Sequence, residues 1–301
     1  MKYYELSPKQ SNFQTLSIQT TYKCQQHCAN CYLGSMLNDR SIPDIDPKLF
    51  EKAIRELPKR TDIRFIGAEP TMNPNLIDLI KITRKAGHRP SLLTNGLKLR
   101  KELYVKELKD AGLRFLGISM NGGLENDVYR EFDNGPYANA KSIALNNILK
   151  NRLLPHINMI IDPSNIHVIQ PLIDYTVKCA IENNIKLHRT KFPIMIRLKS
   201  IGQMGYYRKT YTYSLEEMRE IVENMGWKII CKNPNLHSKK RSLPYEFETP
   251  AGTMMGKITD WSVDDDGVPD AGSTRRGILT DDYKVAPFFE YYKKTQEEKY
   301  G

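Results

Sequence analysis

Three of the five cysteines in this 301-residue chain lie within eight residues, as Cys24, Cys28 and Cys31 in a C-x3-C-x2-C spacing. Three thiolates in one short loop can hold three irons of a cubane iron–sulfur cluster and leave the fourth iron without a protein ligand. An open iron is a place for chemistry, whereas a closed four-cysteine site predicts a structural or electron-transfer role. With His27 beside them, the three thiols could instead form a zinc site. Zinc spacings, however, usually pair two C-x-x-C units, or one such unit with distant ligands. A disulfide role fits less well, because three cysteines leave one unpaired and no signal peptide precedes the loop.

Short apolar runs follow the loop, each closing on small and polar residues. Residues 62–70 end in Gly67-Ala68-Glu69-Pro70, residues 91–96 in Thr94-Asn95-Gly96, and residues 114–122 in Ser119-Met120-Asn121-Gly122. Amphipathic stretches at 47–58, 74–86 and 100–111 predict helices between them. A fifth strand at Ile157-Asn158-Met159-Ile160-Ile161 leads to a helix at 166–183 and a sixth strand at 186–198. Such alternation implies right-handed βαβ units and a parallel sheet or barrel. In barrels of this kind the functional groups sit at the carboxyl ends of the strands, where the cysteine loop, Glu69, Thr94, Asn95, Ser119 and Asn121 fall. Taken without the cysteines, Glu69 could be an ordinary strand-end carboxylate, and Ser119 and Asn121 could cap the next helix. Asn158, in an otherwise apolar strand, could equally be a satisfied structural amide or a cofactor contact.

On these residues the sequence resembles the radical S-adenosylmethionine (SAM) superfamily, over about residues 14–205. Cys24, Cys28 and Cys31 match its cluster loop. Gly67-Ala68-Glu69-Pro70 is similar to its Gly-Gly-Glu-Pro motif, whose carboxylate takes the SAM amino group. Thr94-Asn95-Gly96 looks like the end of its third strand. Ser119-Met120-Asn121-Gly122 resembles the Ser-Leu-Asp-Gly ending of its fourth strand, and Asn158 with Asn165 resembles its fifth. The chain departs from the pattern at Ala68, and at Asn30, where members carry a large residue near the adenine; here Tyr32 follows the third cysteine instead.

The resemblance implies an α/β fold: a lead-in at 1–13, a partial (β/α)6 TIM-type barrel at 14–205, and a C-terminal α+β extension at 206–301. It implies one [4Fe-4S] cluster on Cys24, Cys28 and Cys31, with SAM bound by Glu69, Thr94, Asn95, Ser119, Asn121, Asn158 and Tyr32. An electron from the cluster would cleave SAM to methionine and a 5′-deoxyadenosyl radical, which would take hydrogen from a substrate carbon.

Beyond residue 205, Ser214-Leu215-Glu216-Glu217 predicts a capped helix to about Met225, and a strand precedes Cys231. The alternating run from Ala251 to Asp266-Gly267 predicts a β-hairpin. Its layout is similar to the auxiliary-cluster hairpins of peptide-modifying members, but it has no cysteine, so a substrate-facing lid is expected. Cys179 and Cys231 are expected as buried small hydrophobes, with hydrogen-atom donation as the alternative role. The segment from Ala286 is expected to end as a charged helix.

The apolar fraction of 40% supports a buried core, and no apolar run is long enough to span a membrane. The lack of a signal-peptide core makes the cytoplasm the expectation. A net charge of +10 admits anionic partners. The densest basic run, His237-Ser238-Lys239-Lys240-Arg241, has no nucleic-acid-binding motif beside it, so no nucleic-acid partner is expected. A flavodoxin- or ferredoxin-type reductant and an acidic leader peptide would suit the charge. The expected substrate is a ribosomally made peptide. About 23 residues precede Cys24, too few for a fused leader-binding domain, so a separate small leader-binding protein is expected. The alternatives are a small-molecule or nucleoside enzyme, or an activase that installs a glycyl radical on a partner.

Overall fold

The computed structural model describes residues 3–200, 212–230, 242–260 and 276–300. Six parallel strands pair in chain order: β1 (Thr15–Gln19), β2 (Asp62–Ile66), β3 (Arg89–Thr94), β4 (Phe115–Ser119), β5 (Leu154–Ile160) and β6 (Met195–Lys199). The crossovers carry α1 (Pro47–Arg55), α2 (Leu76–Lys85), α3 (Glu102–Asp110), α4 (Asn126–Asp133) with α5 (Ala138–Lys150), and α6 (Ile169–Glu182). This is the α/β, partial (β/α)6 arrangement.

Alternation along the strands divides the residues between two faces. Leu16, Ile18, Ile63, Phe65, Leu92, Leu116, Ile118 and Ile157 point outward into one core beneath the helices. Their neighbours Ser17, Arg64, Ser91, Gly117, Asn158 and Arg197 face the concave side. Local chemistry starts and stops the helices. The Asp46 side chain accepts from the Lys48 and Leu49 amides with Pro47 in the first turn of α1, and Asn134 closes α4 in the left-handed region.

Helices α1, α2, α3 and α6 lie within the stretches expected of them. Nothing in the apolar pattern announced α4 and α5, because their buried faces include Asp133, Lys141 and Asn147. The sixth strand starts at Met195 rather than residue 186. Leu187 makes only an isolated bridge to Gly252, and the chain then turns where the Thr190 amide donates to His188 Nδ1.

The later segment holds α7 (Leu215–Asn224), β7 (Lys228–Ile229), β8 (Ser242–Thr249), β9 (Gly252–Thr259), β10 (Arg276–Leu279), β11 (Val285–Pro287) and α8 (Phe288–Tyr300). Its strands extend the same sheet at both edges, in the order β11-β10-β1-β2-β3-β4-β5-β6-β9-β8-β7. The expected hairpin is corrected by this topology. Strand β9 is paired to β8 on one side and β6 on the other, and β8 reaches it through Pro250-Ala251. With both edges hydrogen-bonded, residues 252–259 are a sheet strand and not a lid. At that turn Gly252 has φ +116°, and a Cβ there would lie 2.2 Å from the Leu187 carbonyl oxygen. Asp266, Gly267 and Cys231 lie outside the described residues.

A second core cluster joins Tyr22, Leu33 and Met36 of the cysteine loop to Ile278 of β10, Ala286 of β11, and Tyr291 and Tyr292 of α8. Among the described residues no helix is long and apolar enough to cross a membrane.

Candidate active site

The cysteine loop leaves the carboxyl end of β1 and is laced to the turn after β2. The Thr20 amide donates to the Ile66 carbonyl at 2.8 Å, Ala68 to Thr21 and Glu69 to Lys23 at 3.0 Å, and Asn73 Nδ2 to Thr20 O at 2.7 Å. The two segments approach so closely that a Cβ on Gly67 would sit 2.8 Å from Thr21 O. Ala68 is not among the residues with positive φ, so its methyl replaces the usual glycine hydrogen without backbone strain.

Within the loop, the Cys24 amide donates to Asn38 Oδ1 at 2.8 Å and the Gln26 amide donates to Cys24 Sγ at 3.2 Å. The Cys31 amide reaches Cys28 O at 3.2 Å, and the Ala29 amide reaches Phe132 O at 3.0 Å. Burial pushes all three thiols up, Cys24 to about 12, so a positively charged centre is needed to take them as thiolates. Among the described residues no three His, Cys, Asp or Glu side chains converge on one metal-ion position.

Glu69 is 1% exposed and accepts four hydrogen bonds. The Thr71 amide (3.0 Å), Thr71 hydroxyl (2.7 Å) and Thr94 hydroxyl (2.7 Å) converge on Oε1, while the Asn95 amide donates to Oε2 at 2.7 Å. Three donors on Oε1 fix the carboxylate and leave Oε2 with acceptor capacity for a further cation. Asn95 also extends Nδ2 towards Cys24 Sγ at 3.7 Å. One residue therefore touches both the carboxylate and a cluster-loop sulfur.

Ser119 and Asn158 sit opposite each other in the β4–β5 register, on the concave face. Asn158 Nδ2 donates to His156 O at 3.0 Å, while its buried Oδ1 has no partner among the described residues. Gly117 makes room for that amide, since a Cβ there would lie 2.7 Å from Asn158 Nδ2. Asn121 is spent on the framework: Nδ2 donates to Asp133 at 3.0 Å and Oδ1 accepts from the Ile160 amide at 3.0 Å. Asn165 braces the same strand ends, donating to Asn121 O at 2.9 Å and Ile160 O at 2.8 Å. Tyr32 packs edge-on against Tyr292 of α8 with centroids 5.3 Å apart, and its hydroxyl donates to Gln19 Oε1 at 3.3 Å.

The donor set fits an iron–sulfur cluster with SAM. Three thiols sit on one loop, Asn95 links a buried carboxylate to that loop, and Asn30 Nδ2, Gln26 Nε2 and Asn158 Oδ1 are buried without partners among the described residues. Comparison with known proteins agrees: residues 18–175 match the model of the Radical SAM superfamily. The chain belongs to the radical SAM superfamily. Members of that superfamily are enzymes that use a [4Fe-4S] cluster and SAM.

Its relatives are diverse. It is 33% identical over 111 residues to 7,8-dihydro-6-hydroxymethylpterin dimethyltransferase of Methanocaldococcus jannaschii, a match covering 35% of this chain and 22% of that one. It is 27% identical over 168 residues to PqqA peptide cyclase of Bradyrhizobium diazoefficiens, covering 53% and 42%. In fold it is similar to Streptococcus suis SuiB, crystallised with precursor peptide SuiA, with a TM-score of 0.56, 18% identity, and coverage of 71% of this chain and 45% of SuiB. The radical SAM chain thus spans less than half the length of each of these proteins.

Two residues of this radical SAM site were invisible to sequence reasoning. Lys141 and Asp133 form a buried ion pair at 2.6 Å with side chains 0% and 1% exposed. Lys141 also donates to Ser119 O at 2.9 Å, and Asp133 accepts from Asn121. The pair ties α4 and α5 to the end of β4, next to the Phe132 carbonyl that holds the cysteine loop. The pair had one signal in the sequence, a lysine on the helical face that carries Ala144, Leu145 and Ile148. A groove of about 840 Å³ lined by Ile173, Val177, Trp227 and Phe247 lies on the helical side of the sheet and includes none of these residues.

Proposed function

We propose that Cys24, Cys28 and Cys31 hold one [4Fe-4S] cluster, that Glu69 holds the SAM ammonium, and that the enzyme takes hydrogen from a carbon of a peptide substrate. When bound, the cluster supplies the electron that cleaves SAM to methionine and a 5′-deoxyadenosyl radical. Asn95 carries the reading: its amide on Glu69 Oε2 and its side chain towards Cys24 Sγ link a buried carboxylate to the cysteine loop, which supports one SAM molecule chelated at both. Thr71 and Thr94 hold Glu69 in place, and Ser119 and Asn158 offer polar groups to the rest of SAM from the concave face. Tyr32 would support the adenine side of that pocket. The reductant would be a flavodoxin- or ferredoxin-type protein, and the setting the cytoplasm, where thiols stay reduced.

The peptide substrate is favoured by the similarity to PqqA peptide cyclase over 53% of the chain. A separate small leader-binding protein would then assist recognition. A small-molecule substrate is the second reading, favoured by the similarity to the pterin dimethyltransferase. Anaerobically reconstituted protein given SAM and a strong reductant should release 5′-deoxyadenosine and methionine without substrate, and the Cys24, Cys28, Cys31 triple alanine variant should not. Continued SAM cleavage by the triple variant would overturn the assignment. A candidate precursor peptide that raises the 5′-deoxyadenosine yield and gains a mass change would decide for the peptide.

A further inference from the structure

The concave face of the sheet carries cationic side chains besides the residues proposed to hold the cluster and SAM. In a closed barrel of this family of architectures, inward residues form apolar layers. Here the inward positions include Arg64 on β2, His156 on β5, Arg197 and Lys199 on β6, Lys257 on β9 and Arg276 on β10. The register sets one row of them across four parallel strands: Ser119 faces Asn158, Asn158 faces Arg197, and Arg197 faces Lys257. Neighbouring strands lie about 4.8 Å apart, so Arg197 stands one strand from Asn158, beside the proposed SAM pocket. Arg64 lies across the concavity on β2, between Ser17 and Ser91 in the register.

These groups crowd one another. Burial, then Arg276 and Arg197, push the Arg64 guanidinium down to about 10, and burial with Arg197, Arg64, Lys199 and Lys257 pushes His156 down to about 4. Arg64 and Arg197 make no ion pair or hydrogen bond among the described residues, and Arg197 Nε is buried without a partner. A half-buried guanidinium without an acceptor has lost hydration and gained nothing in return. Two such groups on one concave face make a field that focuses an anion there.

We infer that Arg64 and Arg197 bind an oxyanion of the substrate, a carboxylate or a phosphate, inside the concave face one strand from Asn158. Guanidinium forks match the planar geometry of both groups. The anion would anchor the far end of the substrate while its reacting carbon lies towards Ser119 and Asn158. This inference rests on the reading that the concave face receives the substrate beside SAM.

The test is calorimetry on the reconstituted holoprotein with two probes, inorganic tripolyphosphate and glutarate. At least one should bind in the millimolar range or tighter. Arg64→Gln and Arg197→Gln should each weaken it about tenfold or more, Arg197→Lys less, and the surface variant Lys150→Gln not at all. Preference for tripolyphosphate assigns a phosphate-bearing substrate, and preference for glutarate assigns a carboxylate. Absence of binding to the wild-type protein would overturn the inference, whatever the variants do. So would unchanged affinity in Arg197→Gln and Arg64→Gln, or an equal loss in Lys150→Gln. If a glutamine variant loses iron, Arg197→Lys against Lys150→Gln decides the comparison. Substrate-free release of 5′-deoxyadenosine by the wild type separates the two layers. Release without anion binding defeats this inference alone, and anion binding without release defeats the SAM reading alone.

Discussion

Glu69 illustrates how one side chain can be fully packed and still have work to do. Four donors fix it, three of them on Oε1, so its orientation is set before any cation arrives. Glu69→Gln keeps the shape but removes the charge, and it turns an amide towards either the Asn95 N–H or the two threonines. A charge-assisted hydrogen bond contributes about 1.5–3 kcal/mol, so SAM affinity should fall about tenfold to a hundredfold. Iron content should stay at the wild-type level, because no cluster ligand is touched. Equilibrium dialysis with labelled SAM checks this, and unchanged binding would remove Glu69 from the site. The Lys141–Asp133 pair makes a different demand. Lys141→Met strands a buried carboxylate and should cost about 3–5 kcal/mol of stability in denaturant unfolding. Adding Asp133→Asn should recover part of that loss, since the amide oxygen can still accept from Asn121 while the stranded charge is gone. If the double variant is no more stable than Lys141→Met alone, the charge pair is not the source of the cost.

At the scale of elements, helix α8 is part of the cysteine loop's support. Tyr292 of α8 is 0% exposed, packs edge-on to Tyr32, and donates to Gln19 Oε1 at the root of the cysteine loop. Tyr291 and Tyr292 complete the apolar cluster beneath Leu33 and Met36. Tyr292→Ala should therefore destabilise the protein by about 3–5 kcal/mol, as large aromatic truncations do. It should also speed iron loss to a chelator, whereas Tyr292→Phe should retain iron nearly as the wild type does. Chelator-induced bleaching of the cluster absorbance measures both. Strand β9 makes a related point: an alternating run predicts a strand, but only its two partners decide whether it is a lid or part of the sheet.

At the scale of the whole molecule, the cysteine inventory bounds the metal content. A second cubane needs three or four thiolates, and only Cys179 and Cys231 remain. Cys179 is 1% exposed in α6 and belongs to the core between the helices and the sheet, on the face away from the proposed SAM pocket. Reconstituted protein should contain about four irons per chain and show one reduced-cluster spectrum. A count near eight, falling to about four in the triple cysteine variant, would reveal a second cluster and contradict this bound.

What was legible in the sequence is local. Three thiols within eight residues lie on one loop in any fold, and strands alternating with helices announce a parallel sheet through their own periodicity. The strand-end motifs carrying Glu69, Thr94, Asn95 and Ser119 follow from the same order along the chain. Tertiary structure alone decided the rest. Asn95 meets Cys24 across 71 positions, and β10 reaches β1 from the far end of the chain to complete the sheet. The helices α4 and α5 escaped the apolar pattern because Lys141 and Asp133 neutralise each other, which only their spatial pairing makes possible. The concave cations escaped it for a related reason: a period of two tells that Arg64 and Arg197 share a face with their strands' other polar residues, while only register and curvature turn those faces towards each other.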